Sequence, residues 1–89
     1  MWYTVAKREF GNTMVGAIFK AEKTRNGMVK VTKVKFTNEP VTMKATTVLD
    51  IYTTFTMTAS AARVRFTKPR KELGDVIEES IGLSEGAYC

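Results

Sequence analysis

The apolar positions in the first part of the chain alternate with polar ones, which is the pattern of β-strands. The run from Trp2 to Phe10 is rich in aromatic and β-branched residues and ends at the turn pair Gly11-Asn12. Apolar residues then recur at alternate positions from Thr13 to Glu22. A third run follows Asn26-Gly27, a pair that accepts the positive φ angles of a tight hairpin turn. The pattern therefore predicts a three-stranded antiparallel meander.

The alternation slips within the third strand. Val29 and Val31 share one face, whereas Val34 falls on the other. A bulge near Thr32 and Lys33 would return the later side chains to the core face and leave the other lysines of this strand in solvent. The alternative is a strand covered on both faces, which is demanding for a chain of this length.

The middle of the chain fits two patterns. Asn38-Glu39-Pro40 predicts the end of the meander, because proline cannot donate a hydrogen bond to a sheet. Residues 46–57 then place Leu49 and Ile51 in the core if they form a strand, but an apolar stripe at helical spacing also runs from Ala45 to Phe66. Threonine and other β-branched residues dominate the segment and favour a fourth strand, with a helix left open.

Helices are predicted in the last third of the chain. Thr58 resembles a helix N-cap in front of residues 59–66, and Pro69 would stop that helix. Apolar residues at positions 73, 76, 77 and 81 predict a second helix over 70–81 that ends at Gly82. A short strand over 75–81 is the alternative.

These elements predict a small α+β fold. It consists of a small antiparallel sheet, formed by the three-stranded N-terminal meander plus a fourth strand, with one or two short helices in the C-terminal half. The chain has 89 residues, of which 44% are hydrophobic, and this length suits one core. We expect a single domain over residues 1–82 and a frayed tail over 83–89.

The rare residue types restrict the chemistry. Cys89 is the one cysteine and there is no histidine, so an internal disulfide, a Cys/His zinc site and a histidine-based catalytic centre are excluded. Asp75, Glu78 and Glu79 would share a helical face, which is more typical of a solvated acidic surface than of a cation site. The sequence predicts a protein that is not an enzyme, with no catalytic residue, metal or cofactor.

The predicted location is the cytoplasm, or the host cytoplasm if the protein is viral. The single cysteine favours a reducing compartment. The first eight residues lack the apolar core of a signal peptide, and no run approaches the ~20 apolar residues of a membrane span.

Charge is the most informative global feature. The net charge is +5, with basic residues concentrated in the first 38 positions and again over 63–71, whereas residues 72–89 carry acidic residues and no basic ones. Such a polarised chain favours polyanions or acidic protein surfaces as partners.

Two basic groups are candidate binding residues. The first is a cationic sheet face made by Lys30, Lys33 and Lys35, with Lys7, Arg8 and Lys20 on neighbouring strands. The second is a cluster suited to clamping phosphate, formed by Arg63, Arg65, Lys68, Arg70 and Lys71. The alternatives are that the sheet lysines protect strands from aggregation and that the cluster pairs with the acidic residues of 72–79.

Aromatic residues could complete such a surface. Trp2, Tyr3 and Tyr52 are candidates for stacking on unpaired bases. The alternative is that they belong to the core.

The leading functional hypothesis is a non-enzymatic binding protein for RNA or other single-stranded nucleic acid, with RNA favoured over DNA. The alternative is a protein of the accessory type found in phages and mobile elements, which binds an acidic surface on a host protein, such as a nuclease or toxin, and inhibits it. No membrane partner is expected, and an open sheet edge would allow a homodimer.

Overall fold

The predicted meander and fourth strand form one antiparallel sheet. The computed structural model describes residues 2–24, 26–38 and 45–86. The strands are β1 (Trp2–Val5), β2 (Ile18–Lys23), β3 (Met28–Asn38) and β4 (Ala45–Thr58), in the order β1-β2-β3-β4. The helices are α1 (Ala59–Arg65) and α2 (Leu73–Gly86). The α+β prediction is therefore confirmed, and the ambiguous middle segment is a strand.

The first two strands are shorter than predicted. After Ala6 the chain leaves the sheet and makes a tight turn, in which Phe10 and Thr13 exchange backbone hydrogen bonds around Gly11. Gly16 has a φ of 95°, which interrupts the run before β2 begins at Ile18. The hairpin between β2 and β3 contains Gly27 at a φ of 73°, as the Asn-Gly pair predicts. The predicted stop at Glu39-Pro40 lies outside the described residues.

Both helices differ in part from their predicted form. The Thr58 hydroxyl accepts a hydrogen bond from the amide of Ala61 at 3.2 Å, which confirms it as the N-cap of α1. The segment predicted as a helix over 70–81 is helical from Leu73 onward and is not a strand, but α2 passes through Gly82 and ends at Gly86. Part of the predicted tail is thus helical, because Leu83 packs on the core and favours continuation of the helix.

The sheet is covered on both faces. On one side, here called the α1 face, α1 packs against a cluster that includes Phe19, Val31 and Phe66. On the other side, the α2 face, α2 places Val76 against a second cluster, formed by Val5, Ile18 and Val34. Val31 and Val34 therefore belong to different cores, so the slip in the third strand reflects a strand covered on both faces, the alternative that the length of the chain disfavours.

A bulge is present at the predicted place, but the extra residues belong to β4. Thr32 pairs with Thr54, and the next residue, Lys33, pairs with Asp50. Residues 51–53 of β4 are left without a β3 partner, so the bulge does not change which face the β3 side chains occupy.

The segment after α1 closes the β1 edge of the sheet. Tyr3 and Arg70 exchange two backbone hydrogen bonds of 2.8 Å, and the Thr67 amide donates to the Val5 carbonyl at 2.9 Å. The Thr4 hydroxyl adds a hydrogen bond of 2.7 Å to the Thr67 carbonyl. Residues 65–70 thus act as an irregular outer strand, and Pro69 is tolerated because it lies on an edge.

Candidate functional site

A groove opens on the α1 face where this outer strand and α1 lie across the sheet. Its volume is about 440 Å³. The floor consists of apolar side chains from β2, β3, α1 and the outer strand, including Ala21, Val31, Ala62 and Phe66. Phe66 is buried because it packs edge-on against Phe19, with ring centroids 5.2 Å apart. The floor is therefore apolar.

Four cationic side chains surround this floor. Lys7 follows β1, Lys23 ends β2, Arg63 lies on α1 and Lys68 lies on the outer strand. The lining of this groove includes no acidic side chain. We call it the basic groove.

The basic groove continues toward Trp2. A neighbouring depression of about 460 Å³ shares Lys23 and Lys68 with it and is bordered by Trp2 and Glu22. Trp2 keeps 45% of its surface exposed. The Lys71 ammonium lies 5.1 Å from the centre of the indole ring, a cation–π distance that adds a fifth positive charge beside the groove.

The acidic residue at this end is neutralised in part by its own strand. Lys20 Nζ lies 3.1 Å from the Glu22 carboxylate. The hydrogen bond and charge of Lys20 hold the pKa of Glu22 below its ordinary value of 4.5, so Glu22 is ionised and paired at neutral pH. The positive character of the groove therefore persists at its outer end.

The predicted Arg/Lys cluster is divided by the fold. Arg63 and Lys68 line the basic groove, and Lys71 reaches it through Trp2. Arg65 instead lies over the Phe10 ring, 5.2 Å from its centre. Arg70 is 3.5 Å from the carboxylate of Glu79, so for this residue the alternative of pairing with the C-terminal acids is confirmed.

The predicted sheet lysines do not form one cationic face. In the pairing of β2 with β3, Lys30 lies opposite Glu22 on the α2 face. Lys33 lies opposite Phe19 on the α1 face. Lys35 also lies on the α1 face, where its ammonium is 3.4 Å from the carboxylate of Asp50. The three lysines do not form the predicted common face, because Lys30 is an odd number of positions from Lys33 and Lys35 and therefore points to the opposite side of the strand.

The three candidate stacking residues also lie apart. Trp2 borders the basic groove, whereas Tyr3 is half-buried against the α2 core. Tyr52 lies in the β4 bulge at the opposite edge of the sheet, with 94% of its surface exposed. Of the three candidates, Trp2 is thus the one that lies beside the cationic side chains of the basic groove.

Lys23 is the groove residue that the sequence analysis missed. It continues the alternation of Phe19 and Ala21 along β2, and this alternation assigns it to the same face as those core residues. The alternation along β2 thus predicts the face on which Lys23 lies. It does not predict that Lys23 lines a groove, because the groove is formed by α1 and the outer strand, which are distant in sequence.

The described part of the chain offers no metal centre or membrane span. Within residues 2–24, 26–38 and 45–86, no group of three or more histidine, cysteine or acidic side chains is placed to hold a metal ion. Neither described helix is long and apolar enough to cross a membrane.

Comparison of the chain with models of protein families, with curated proteins and with solved structures finds no match. The function is therefore inferred from the site itself.

Proposed function

We propose that this protein binds single-stranded nucleic acid, in particular RNA, in the basic groove and does so without catalysis. The observation that supports this proposal is the arrangement of Lys7, Lys23, Arg63 and Lys68 around an apolar floor that leads to Trp2. Cations without nearby acids attract phosphates, and an apolar floor with an indole suits the faces of unpaired bases.

A single strand fits this groove better than a duplex for a physical reason. The bases of a duplex are stacked inside the helix, so they have no free face to place on Val29 or Trp2. Unpaired bases of RNA can turn toward aromatic and apolar side chains while their phosphates face the cations. The number of cations also predicts the salt dependence, because each neutralised phosphate of a single strand adds about −0.7 to the slope of log K against log salt.

The absence of catalysis is proposed from the residue types available. The chain has no histidine, and the lining of the basic groove offers the hydroxyls of Thr4 and Thr67 without an acidic side chain beside them. The Thr4 hydroxyl is already used as a donor to the Thr67 carbonyl. A nucleophile needs an adjacent base, and these threonines have none in the groove.

The experiment compares two double variants that remove the same charge. Arg63→Gln with Lys68→Gln alters the basic groove, and Lys30→Gln with Lys33→Gln alters the sheet lysines. Fluorescence anisotropy with a labelled single-stranded RNA, and with DNA of the same sequence, is measured at several salt concentrations. Circular dichroism checks that both variants are folded.

We expect the groove variant to bind about tenfold or more weakly and its salt slope to fall by about 1.4, as for two lost phosphate contacts. The sheet-lysine variant should stay close to the unaltered protein. Binding that does not respond to salt, or an equal loss in the two variants, would overturn the proposal. Tighter binding of DNA than of RNA would reject RNA as the preferred ligand.

The second candidate is a host protein with an acidic surface, such as a nuclease or toxin, that this protein would inhibit. It draws support from the exposed apolar side chains of β4, including Val48, Leu49 and Ile51, since protein interfaces combine apolar centres with polar rims. A partner that stays bound after nuclease treatment and is released by the groove variant would favour this candidate. For either partner we propose the cytoplasm as the place of action and a sheet edge as the site of homodimerisation.

A further inference from the structure

The two edges of the sheet differ in whether another segment of the described chain pairs with them. The β1 edge is covered by residues 65–70, which take up its backbone hydrogen bonds. Among the described elements, β4 contacts β3 and α1. Since α1 lies on a face, the outer edge of β4 is open over the described residues.

The open edge is almost uncharged, although the protein is basic. Residues 45–58 contain no lysine or arginine, and their single acidic residue, Asp50, is paired with Lys35 of the adjacent strand. Val48 and Leu49 are 51% and 42% exposed on this segment. An edge with these properties gives an anionic ligand nothing to bind, whereas the same edge of a second copy brings no basic side chain to it, so like charges do not meet along the segment.

The bulge limits the length of edge that is suited to pairing. Regular pairing with β3 runs from Ala45 to Asp50 and is interrupted at residues 51–53. Ile51 and Tyr52 project there, with 71% and 94% of their surfaces exposed. The regular segment spans about 20 Å, and the two exposed side chains at its end extend its apolar surface.

We propose that residues 46–50 of β4 pair with the same segment of a second copy, antiparallel and about a two-fold axis. Opposed residues of an antiparallel pair lie on the same face, so Val48 would face its own counterpart while Leu49 faces Thr47 of the other copy. β-Branched and threonine side chains are favourable in such cross-strand pairs. The result is a continuous eight-stranded sheet.

The symmetry of this dimer determines where the basic grooves lie. A two-fold axis that joins two antiparallel edge strands runs perpendicular to the sheet, so the α1 faces of both copies point to the same side. Both basic grooves would then open on one surface. Formation of the dimer itself does not depend on what the groove binds.

Sedimentation velocity over a wide range of protein concentration tests the dimer. One short strand pair buries less than the about 1,200 Å² of a standard interface, so we expect a monomer–dimer equilibrium in which the sedimentation coefficient rises with concentration. Val48→Lys should remain a monomer throughout. Val64→Lys is the matched control, since Val64 is 49% exposed on α1, and should dimerise like the unaltered protein.

A second variant tests the same interface in case Val48→Lys does not fold. Tyr52→Lys changes a side chain that is 94% exposed, so the fold should tolerate it while the apolar contact is weakened. A protein that is monomeric at all concentrations would overturn the proposal. So would dimerisation of both β4 variants at the unaltered level, or loss of the dimer in Val64→Lys.

Discussion

Asp50 carries the one charge of β4, and three neighbouring groups hold it in place. The Thr53 hydroxyl donates a hydrogen bond of 2.9 Å to one carboxylate oxygen, and the Tyr52 amide donates one of 3.2 Å to the other. Lys35 lies at 3.4 Å. These contacts, that of Thr53 first, lower the pKa of Asp50 below its ordinary value of 3.8. The Asp50 carboxylate thus fixes the turn of the chain through the bulge.

This pKa predicts a loss of stability in acid. Because the folded-state pKa of Asp50 is below the unfolded value, its contribution is fully present above about pH 3.8 and disappears as the pH falls further. We expect Asp50→Asn to flatten the dependence of the free energy of unfolding on pH below that point, as measured by urea denaturation across an acid pH series.

Thr53→Val tests the cause of the same effect. It removes the principal hydrogen-bond donor to Asp50 without changing any charge, so much of the acid dependence that Asp50 supplies should vanish with it. An Asp50→Asn profile that is parallel to that of the unaltered protein at every acid pH would contradict this account.

Among the elements, α2 departs most from what the sequence indicates. Gly82 was expected to end the helix, yet it lies inside α2, and a methyl group added at its Cα would meet nothing within 4 Å. Glycine inside a helix costs about 0.5–1 kcal/mol relative to alanine. Gly82→Ala should therefore raise the free energy of unfolding in urea by about this amount.

Gly27→Ala is the contrasting control for Gly82→Ala. Gly27 has a φ of 73° in the hairpin turn, where an alanine is strained, so this substitution should lower stability. A loss of stability in Gly82→Ala would show that Gly82 adopts a left-handed helix cap and that α2 ends where the sequence pattern places it.

The elements that the sequence predicts correctly have local causes. Threonine and β-branched residues favour β4 as a strand, Asn26-Gly27 favours a hairpin, and the Thr58 hydroxyl caps the amide of a residue three positions away. The elements that it misjudges depend on distant contacts. Leu83 carries α2 past Gly82 by packing on the core, and residues 65–70 form an outer strand because β1 is beside them.

At the scale of the whole molecule, the same division applies to the candidate site. Alternation along a strand predicts which face Lys23 occupies, but Lys7, Arg63 and Lys68 join it through the closure of the β1 edge by residues 65–70. The charge pattern of the sequence predicts a positively charged surface, but the basic groove has other members than predicted, since Arg70 and Lys35 are paired with Glu79 and Asp50. A surface is a property of the tertiary fold, so no local pattern contains it.

The two proposals make a joint prediction about ligand length. A dimer with both basic grooves on one side can hold two parts of one strand, and the second contact then forms at a high effective concentration. In the unaltered protein at concentrations that favour the dimer, a long single-stranded RNA should bind about tenfold or more tightly than one of about six nucleotides, which occupies one groove.

Val48→Lys should bind the short RNA as well as the unaltered protein does, because its basic groove is intact. It should not bind the long RNA more tightly than the short one. Anisotropy titrations with both lengths measure this difference. If Val48→Lys keeps the full advantage of the long RNA, the length dependence comes from several monomers on one strand and the grooves are not coupled through β4.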